Sequence, residues 1–120
     1  MGIGYPQVDR KTTGVKIEIY IPTTHLEEMR EALRSVDAGH IGYYDSAMNY
    51  SKVNSCWRTL PGASPFNGEI GKLSEAEEYK IEVHCMMENL EKTVAAIRAA
   101  HPYEEPQINA IPLLHTGMTY

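Results

Sequence analysis

Apolar and polar residues alternate strictly in VKIEIYIP, residues 15–22, and this alternation predicts a strand with one buried face. The strand is rich in β-branched residues, and Pro22 ends it. A second alternating segment, EYKIEVHCM at 78–86, predicts another half-buried strand. QINAIPLL at 107–114 predicts the last one. Because proline has no N–H to donate, Pro112 favours an edge position or a bulge for this strand.

Two segments show helical periodicity instead. In TTHLEEMREALRSV, residues 23–36, apolar residues recur every three or four positions, and a Thr-x-x-Glu pattern at 24–27 predicts a capping box. Gly39 in the following DAGH is the expected C-terminal glycine of this helix. The second helix is predicted over ENLEKTVAAIRAA, residues 88–100, and ends before Pro102.

The middle of the chain is less regular. Residues 40–60 have an extended, tyrosine-rich pattern that predicts one long strand or a hairpin, interrupted by the polar DSAMNYSK. PGASPFNGEIG, residues 61–71, contains two prolines and three glycines and predicts a loop. Phe66 and Ile70 within it indicate that the loop packs against another part of the protein.

The predicted order is strand, helix, strand, strand, helix, strand, and its two halves share one layout. This order is typical of the ferredoxin-like split βαβ arrangement, an α+β fold with two helices on one face of an antiparallel sheet. The domain is expected to span 15–115, between tails at 1–14 and 116–120. The opposite sheet face carries Tyr20 and His84 among charged residues, and packing of sheets in a trimer would cover it.

Composition excludes several kinds of partner. Eleven Lys and Arg against sixteen Asp and Glu give a net charge of −5, which argues against nucleic-acid binding. No apolar run is long enough to span a bilayer, and the N-terminal residues lack a signal-peptide pattern, so a cytoplasmic location is expected. Cys56 and Cys85 have no metal-ligand spacing and are expected to be free thiols.

The candidate chemistry is concentrated in HPYEEP, residues 101–106. Chain geometry accounts for part of it, because His101 follows a helix whose dipole favours a charged imidazolium, and the prolines bound the turn. It does not require two adjacent carboxylates. In an extended chain Glu104 and Glu105 point in opposite directions, so one could face a cleft. Alternatively, His101 and Glu105 bind a divalent metal ion, completed by another histidine or a second subunit.

The glycine-rich loop has two interpretations as well. Its backbone N–H groups could bind an anion, but it lacks the lysine and hydroxyl residue that end a P-loop. A packed connection whose glycines adopt special φ values is therefore favoured. No nucleophile and base can be paired from their spacing, so the sequence favours a protein that is not an enzyme.

Four motifs occur together in one order: GHIGYYDSAMNY, PGASPFNGEIGKL, KIEVHC and HPYEEP. They resemble the domain inserted into many Nif-three-like proteins, also called dinuclear-metal-centre proteins, some of them known as GTP cyclohydrolase type-two homologues. The inserted domain is similar in fold to CutA and the PII signalling proteins, which are ferredoxin-like and trimeric. The resemblance covers residues 15–114, and the domain is expected to occur here as a stand-alone chain.

This resemblance implies a fold, a homotrimer and a binding surface. The metal chemistry of the family belongs to its flanking domains, so hydrolase activity does not carry over to this sequence. The residues that the resemblance and the motifs point to as ligand-binding are Gly39, His40, Gly42, Tyr44, Gly68, Gly71, His101, Tyr103, Glu104 and Glu105.

Three functions are compatible with the sequence. The first is a non-catalytic ligand-binding or regulatory module that takes a divalent metal ion or a small anionic metabolite. The ligand would lie in clefts between subunits of a trimer, with residues 39–44 and 62–71 opposite HPYEEP. The second is a structural trimerisation or protein-interaction domain. The third is an accessory part of a metal-dependent hydrolase of the Nif-three-like family.

Overall fold

The computed structural model describes residues 14–118, and these form a four-stranded sheet with two helices. The sheet is antiparallel throughout, with strand order β2-β3-β1-β4. This arrangement confirms the predicted α+β, ferredoxin-like fold. The elements are β1 (Gly14–Pro22), α1 (Leu26–Ser35), β2 (Asn49–Arg58), β3 (Leu73–Met86), α2 (Leu90–Ala100) and β4 (Ile108–Pro112).

The core lies between the sheet and the two helices. Every second residue of the central strands points into it, as the alternating pattern predicts. Each such side chain contributes roughly 1.5–3 kcal/mol by leaving water. The main buried residues are Val15, Ile17, Ile19 and Ile21 of β1, Ile81 and Val83 of β3, Met29 and Leu33 of α1, and Ile97 of α2.

The start of α1 differs from the sequence-based expectation. A short 3-10 turn, Thr23–His25, comes first, and His25 is the N-cap residue without a side-chain capping bond. The predicted capping box is therefore wrong. The hydroxyl of Thr24 lies 2.8 Å from Nδ1 of its neighbour His25 and so does not reach the backbone of the first helical turn.

The end of α1 also differs, because Asp37 rather than Gly39 adopts the left-handed conformation just after the helix (φ 57°). The N–H of Ala38 then donates to the carbonyl of Leu33 at 3.0 Å. Gly39 has another role. A Cβ at this position would lie 2.3 Å from the carbonyl oxygen of Ala47, so only glycine fits.

The irregular middle segment forms a single strand, β2, and not a hairpin. The polar residues that looked like an interruption include the first residues of this strand. β2 pairs with β3 over their whole shared length, whereas β1 reaches only as far as Glu78. The hairpin that β2 forms with β3 therefore projects beyond the rest of the sheet. The radius of gyration is accordingly 16.6 Å, above the roughly 13 Å typical of a compact domain of 100 residues.

β4 lies at the edge of the sheet and pairs with β1, which confirms the position predicted from Pro112. The predicted tail at 1–14 lies outside the described residues except for Gly14, which is the first residue of β1. No helix within residues 14–118 is long and apolar enough to cross a membrane. Both cysteines are free thiols, Cys56 exposed and Cys85 buried, as predicted.

Candidate ligand-binding cavity

His101 follows α2, and both of its ring nitrogens are hydrogen-bonded to the backbone, one to strand β1 and the other to the HPYEEP turn. Its Nε2–H donates to the carbonyl of Tyr20 at 2.6 Å, and its Nδ1 accepts the backbone N–H of Tyr103 at 3.2 Å. A carbonyl can only accept and an amide N–H can only donate, so the ring is neutral with its proton on Nε2. Burial, which leaves 7% of His101 exposed, lowers its pKa. The prediction of a charged imidazolium at His101 is therefore wrong, because the effect of burial outweighs that of the helix dipole.

Tyr103 is hydrogen-bonded to a carboxylate from another part of the chain. Its hydroxyl donates to Oε2 of Glu78 at 2.6 Å. Glu78 lies on the sheet face opposite the helices and is only 3% exposed. Burial first, and then this hydrogen bond to a carboxylate, raise the pKa of Tyr103, so the phenol keeps its proton and remains a donor.

No motif in the sequence points to Glu78 as a site residue. It lies in the segment SEAEEYK, in which four of the seven residues are charged, and this composition is typical of an exposed segment. Glu78 lies three positions before the core residue Ile81, so the two-residue alternation of a strand places it on the outer sheet face. That position alone is a weak signal of a site residue. Only the fold shows that this position is buried beside Tyr103.

Glu104 holds the glycine-rich loop against HPYEEP. The N–H of Ser64 lies 3.2 and 3.3 Å from the two carboxylate oxygens of Glu104. The chain bends at Glu104 and Glu105, and both residues line one cavity. The expectation that they point to opposite sides assumed an extended backbone, and the chain is bent here.

The cavity lies between HPYEEP, the C-terminal part of β2 and the loop at 59–67, and its volume is about 340 Å³. This size suits a small molecule. Aromatic rings form much of its wall, with the centroids of Trp57 and Phe66 each 6.0 Å from that of Tyr103. Its charged lining residues are Arg58, Glu78, Glu104 and Glu105.

The glycine-rich loop packs against another part of the protein as predicted at Phe66, but not at Ile70. Phe66 packs against Tyr103 and, edge-on, against His25, although about half of its surface is exposed. Ile70 is exposed. Gly68 (φ 116°) supports the cavity wall from behind, since a Cβ there would lie 3.3 Å from Nε1 of Trp57 and closer still to two other side chains. Gly71 is exposed at the end of the loop.

The 39–44 segment lies at the other end of the sheet. The N–H of Gly39 donates to the carbonyl of His84, six residues along β3 from Glu78, a distance of roughly 20 Å in a strand. His40 is bonded to Asp37 and to the carbonyl of Gly42. One chain therefore does not bring Gly39, His40, Gly42 or Tyr44 to the cavity. Their predicted role in ligand binding needs a second copy and stays a prediction.

A metal ion fits these side chains poorly. Both ring nitrogens of His101 have hydrogen-bond partners, and ligation would break one of these bonds. Within residues 14–118, no three His, Cys, Asp or Glu side chains lie close enough to hold a metal ion together. Metal binding by His101 and Glu105 stays a prediction.

Comparison with known proteins identifies the family. Residues 46–120 match the family model of the CutA1 divalent ion tolerance protein. This chain belongs to the CutA1 family. The fold agrees: the periplasmic divalent cation tolerance protein CutA from Archaeoglobus fulgidus has a TM-score of 0.63 at 21% identity, with 86% of each chain covered. The divalent cation tolerance protein from Thermus thermophilus has a TM-score of 0.64 at 20% identity, with 87% of each covered.

Longer proteins contain a more similar region. A GTP cyclohydrolase 1 type 2 homolog from Halalkalibacterium halodurans is 39% identical over 87% of this CutA1-family chain and 28% of its own length. A Bacillus cereus protein related to NIF3 has a TM-score of 0.73 at 32% identity, over 85% of this chain and 26% of its own. The chain spans about a quarter of the length of these relatives. The resemblance to the domain of Nif-three-like proteins is confirmed.

Proposed function

We propose that this CutA1-family chain is a non-catalytic regulatory module that assembles as a homotrimer and binds a small cation in the cavity beside HPYEEP. The family description, divalent ion tolerance, supports a cationic ligand. Of the two ligand classes that the sequence left open, the charges of the cavity favour the cation. Its lining has three carboxylates and one guanidinium, which disfavour an anionic metabolite.

One observation carries the proposal. Glu78 lines the cavity, is 3% exposed, and has one oxygen bonded to Tyr103. A carboxylate removed from water in this way gains from a nearby positive charge. The cavity therefore has a preformed anionic position, and aromatic walls restrict what can reach it.

Two features support assembly into an oligomer. The end of the β2–β3 hairpin carries Leu60, Ile70 and Leu73, each more than half exposed, and apolar clusters of this kind mark interaction surfaces. The outer face of the sheet carries ion pairs that are already partly buried, between Lys16 and Glu82 and between Lys80 and Glu18. Packing of three such faces would cover the charged pairs together.

A second candidate is an accessory domain of a longer, metal-dependent hydrolase. The similarity to a quarter of the GTP cyclohydrolase 1 type 2 homologs favours it. A structural trimerisation domain is the third, favoured by the exposed hairpin end. The cytoplasmic location stays a prediction, and the similar Archaeoglobus fulgidus protein is described as periplasmic.

Native mass spectrometry of freshly purified protein, with and without a chelator, tests the assembly. We expect a species of three chains of 13.5 kDa each. Additional mass that the chelator removes would identify a bound metal ion. A monomer at micromolar concentration would contradict the trimer.

Binding is tested separately through Trp57, the only tryptophan of the chain, which lines the cavity. Its emission is followed while chlorides of divalent metals and organic ammonium chlorides are added. We expect at least one cation to change the emission saturably in wild-type protein but not in Glu78→Gln. If none does, the cavity is not a cation site, and the structural candidate is favoured.

A further inference from the structure

The inner carboxylate of the cavity has hydrogen-bonding capacity that residues 14–118 leave unused. Oε2 of Glu78 accepts the hydroxyl of Tyr103, and no other hydrogen bond or ion pair to this carboxylate occurs in this part of the chain. A carboxylate offers about four acceptor sites. At 3% exposure, unused sites cost free energy unless a donor enters. Glu78 therefore offers free acceptor sites to a donor with N–H or O–H groups at the cavity interior.

The walls indicate what carries that donor. The rings of Trp57, Phe66 and Tyr103 form a tilted cluster around the cavity. The face of an aromatic ring attracts a cation, and its area favours a flat apolar body. Leu60 and Pro65 add further apolar lining. A donor that is both positively charged and attached to an apolar group matches this combination.

Three polar side chains near Glu78 already have hydrogen-bond partners, and this favours an organic cation over a bare metal ion. The hydroxyl of Tyr103 donates to Glu78 itself, and Glu104 accepts the N–H of Ser64. The ring of His101 has two backbone partners. A divalent metal needs several free ligands at once, whereas an ammonium ion needs one carboxylate and aromatic faces.

We infer that the cavity binds an organic ammonium ion, a protonated primary amine on a flat apolar body, with its N–H groups on Glu78 and its body between Trp57, Phe66 and Tyr103. The inference rests on the proposed function and names the ligand class of the same site. The carboxylates of Glu104 and Glu105 at the exposed rim favour entry of the cation.

Three probes of similar shape and different charge test the inference: phenethylammonium, phenethyl alcohol and phenylacetate. Each is titrated into the 120-residue protein while Trp57 emission is recorded. We expect saturable binding of the ammonium ion and binding of the alcohol and the acid that is weaker by about tenfold or more, as for loss of a charge-assisted hydrogen bond. Equal affinity for the alcohol or the acid would overturn the inference.

Glu78→Gln keeps the side-chain volume and removes the charge. It should weaken phenethylammonium binding by about tenfold or more. Glu75→Gln is the matched control, because Glu75 is an exposed carboxylate of the same strand on the opposite sheet face. The Glu75→Gln variant should bind phenethylammonium with wild-type affinity. Unchanged affinity in Glu78→Gln, with a native circular dichroism spectrum, would overturn the inference.

If Glu78→Gln does not fold, the comparison of the three probes decides the inference, because it needs no variant. The probes differ in charge at similar shape, so in wild-type protein a preference for phenethylammonium over phenethyl alcohol and phenylacetate supports the inference and its absence contradicts it. A divalent metal that binds in a Glu78-dependent manner where phenethylammonium does not would overturn the ammonium ligand and leave the proposed function standing. No response to any cation would overturn both.

Discussion

At the scale of single residues, the HPYEEP turn connects side chains that the sequence separates widely. His101 contacts Tyr20, which is 81 positions away, and Tyr103 contacts Glu78. Each of these contacts involves a buried polar group, and such groups are costly to leave unpaired. The residues of the turn that looked like candidates for chemistry therefore also stabilise the fold, and two predictions separate these roles.

The first prediction concerns the hydroxyl of Tyr103. Tyr103→Phe removes the donor to Glu78 and leaves a buried carboxylate oxygen without its partner. We expect the free energy of unfolding in urea to fall by roughly 1–3 kcal/mol. Tyr43→Phe, at a fully exposed tyrosine, is the control and should change it by less than about 0.5 kcal/mol. Equal effects of the two substitutions would mean that the Tyr103–Glu78 bond does not contribute.

The second prediction concerns pH. Burial lowers the pKa of His101 in the folded protein, so the unfolded chain binds a proton that the native state rejects. The contribution of His101 to stability is then fully present above its pKa in the unfolded chain, about 6.5. This contribution is lost as the pH falls below that value. We expect His101→Gln to have a shallower loss of stability between pH 7 and pH 5 than wild type.

Two other histidines must be separated from this effect. Burial also lowers the pKa of His84, whereas the hydrogen bond to Asp37 raises that of His40. Denaturation series on His84→Gln and His40→Gln supply both comparisons. If His101→Gln retains the full wild-type pH dependence, the buried imidazole is not its source.

At the scale of elements, the connections decide which positions tolerate a side chain. Gly39 and Gly71 have nearly the same φ, 83° and 82°. A Cβ on Gly39 would overlap the backbone of Ala47, whereas a Cβ on Gly71 would meet nothing within 4 Å. The two glycines therefore share a positive φ and differ in the space around them.

The third prediction uses this pair. Gly71→Ala should lower the free energy of unfolding by roughly 1–2 kcal/mol through backbone strain alone. Gly39→Ala should cost clearly more, because the turn before β2 must also move away from the new methyl group. Thermal and urea denaturation of both variants measure the difference. Similar losses would show that the segment around Ala47 yields at little cost.

At the scale of the whole molecule, two surfaces of the single chain remain incompletely covered. One is the apolar end of the β2–β3 hairpin, and the other is the outer face of the sheet. Lys16 lies on that face between Glu82 and Glu18, with about a third of its side chain exposed. The proposed trimer places this charged group at an interface.

The fourth prediction follows from that position. Lys16→Glu would bring a third carboxylate beside Glu18 and Glu82, and covering these like charges would be unfavourable. We expect the trimer to dissociate, as measured by light scattering after size-exclusion chromatography, while circular dichroism stays native. Lys52→Glu, at an exposed lysine paired with Glu77, is the control and should remain trimeric. A trimeric Lys16→Glu protein would place the interface elsewhere.

The sequence by itself determined the elements, their order and the edge position of β4. These depend on local causes: alternation in a strand, the helical repeat, and the missing N–H of Pro112. It also pointed to HPYEEP and to the loop that meets it. The capping box at 24–27 failed because a 3-10 turn displaced the helix start, which a four-residue pattern does not specify.

Only the tertiary structure decided the composition of the cavity. The bond between Ser64 and Glu104 joins residues 40 positions apart, and the burial of Glu78 depends on the register of β3 against both neighbouring strands. The neutral state of His101 depends on burial against Tyr20. The same register places the 39–44 segment at the far end of the sheet. Such contacts arise from long-range packing, and no local pattern in the sequence encodes them.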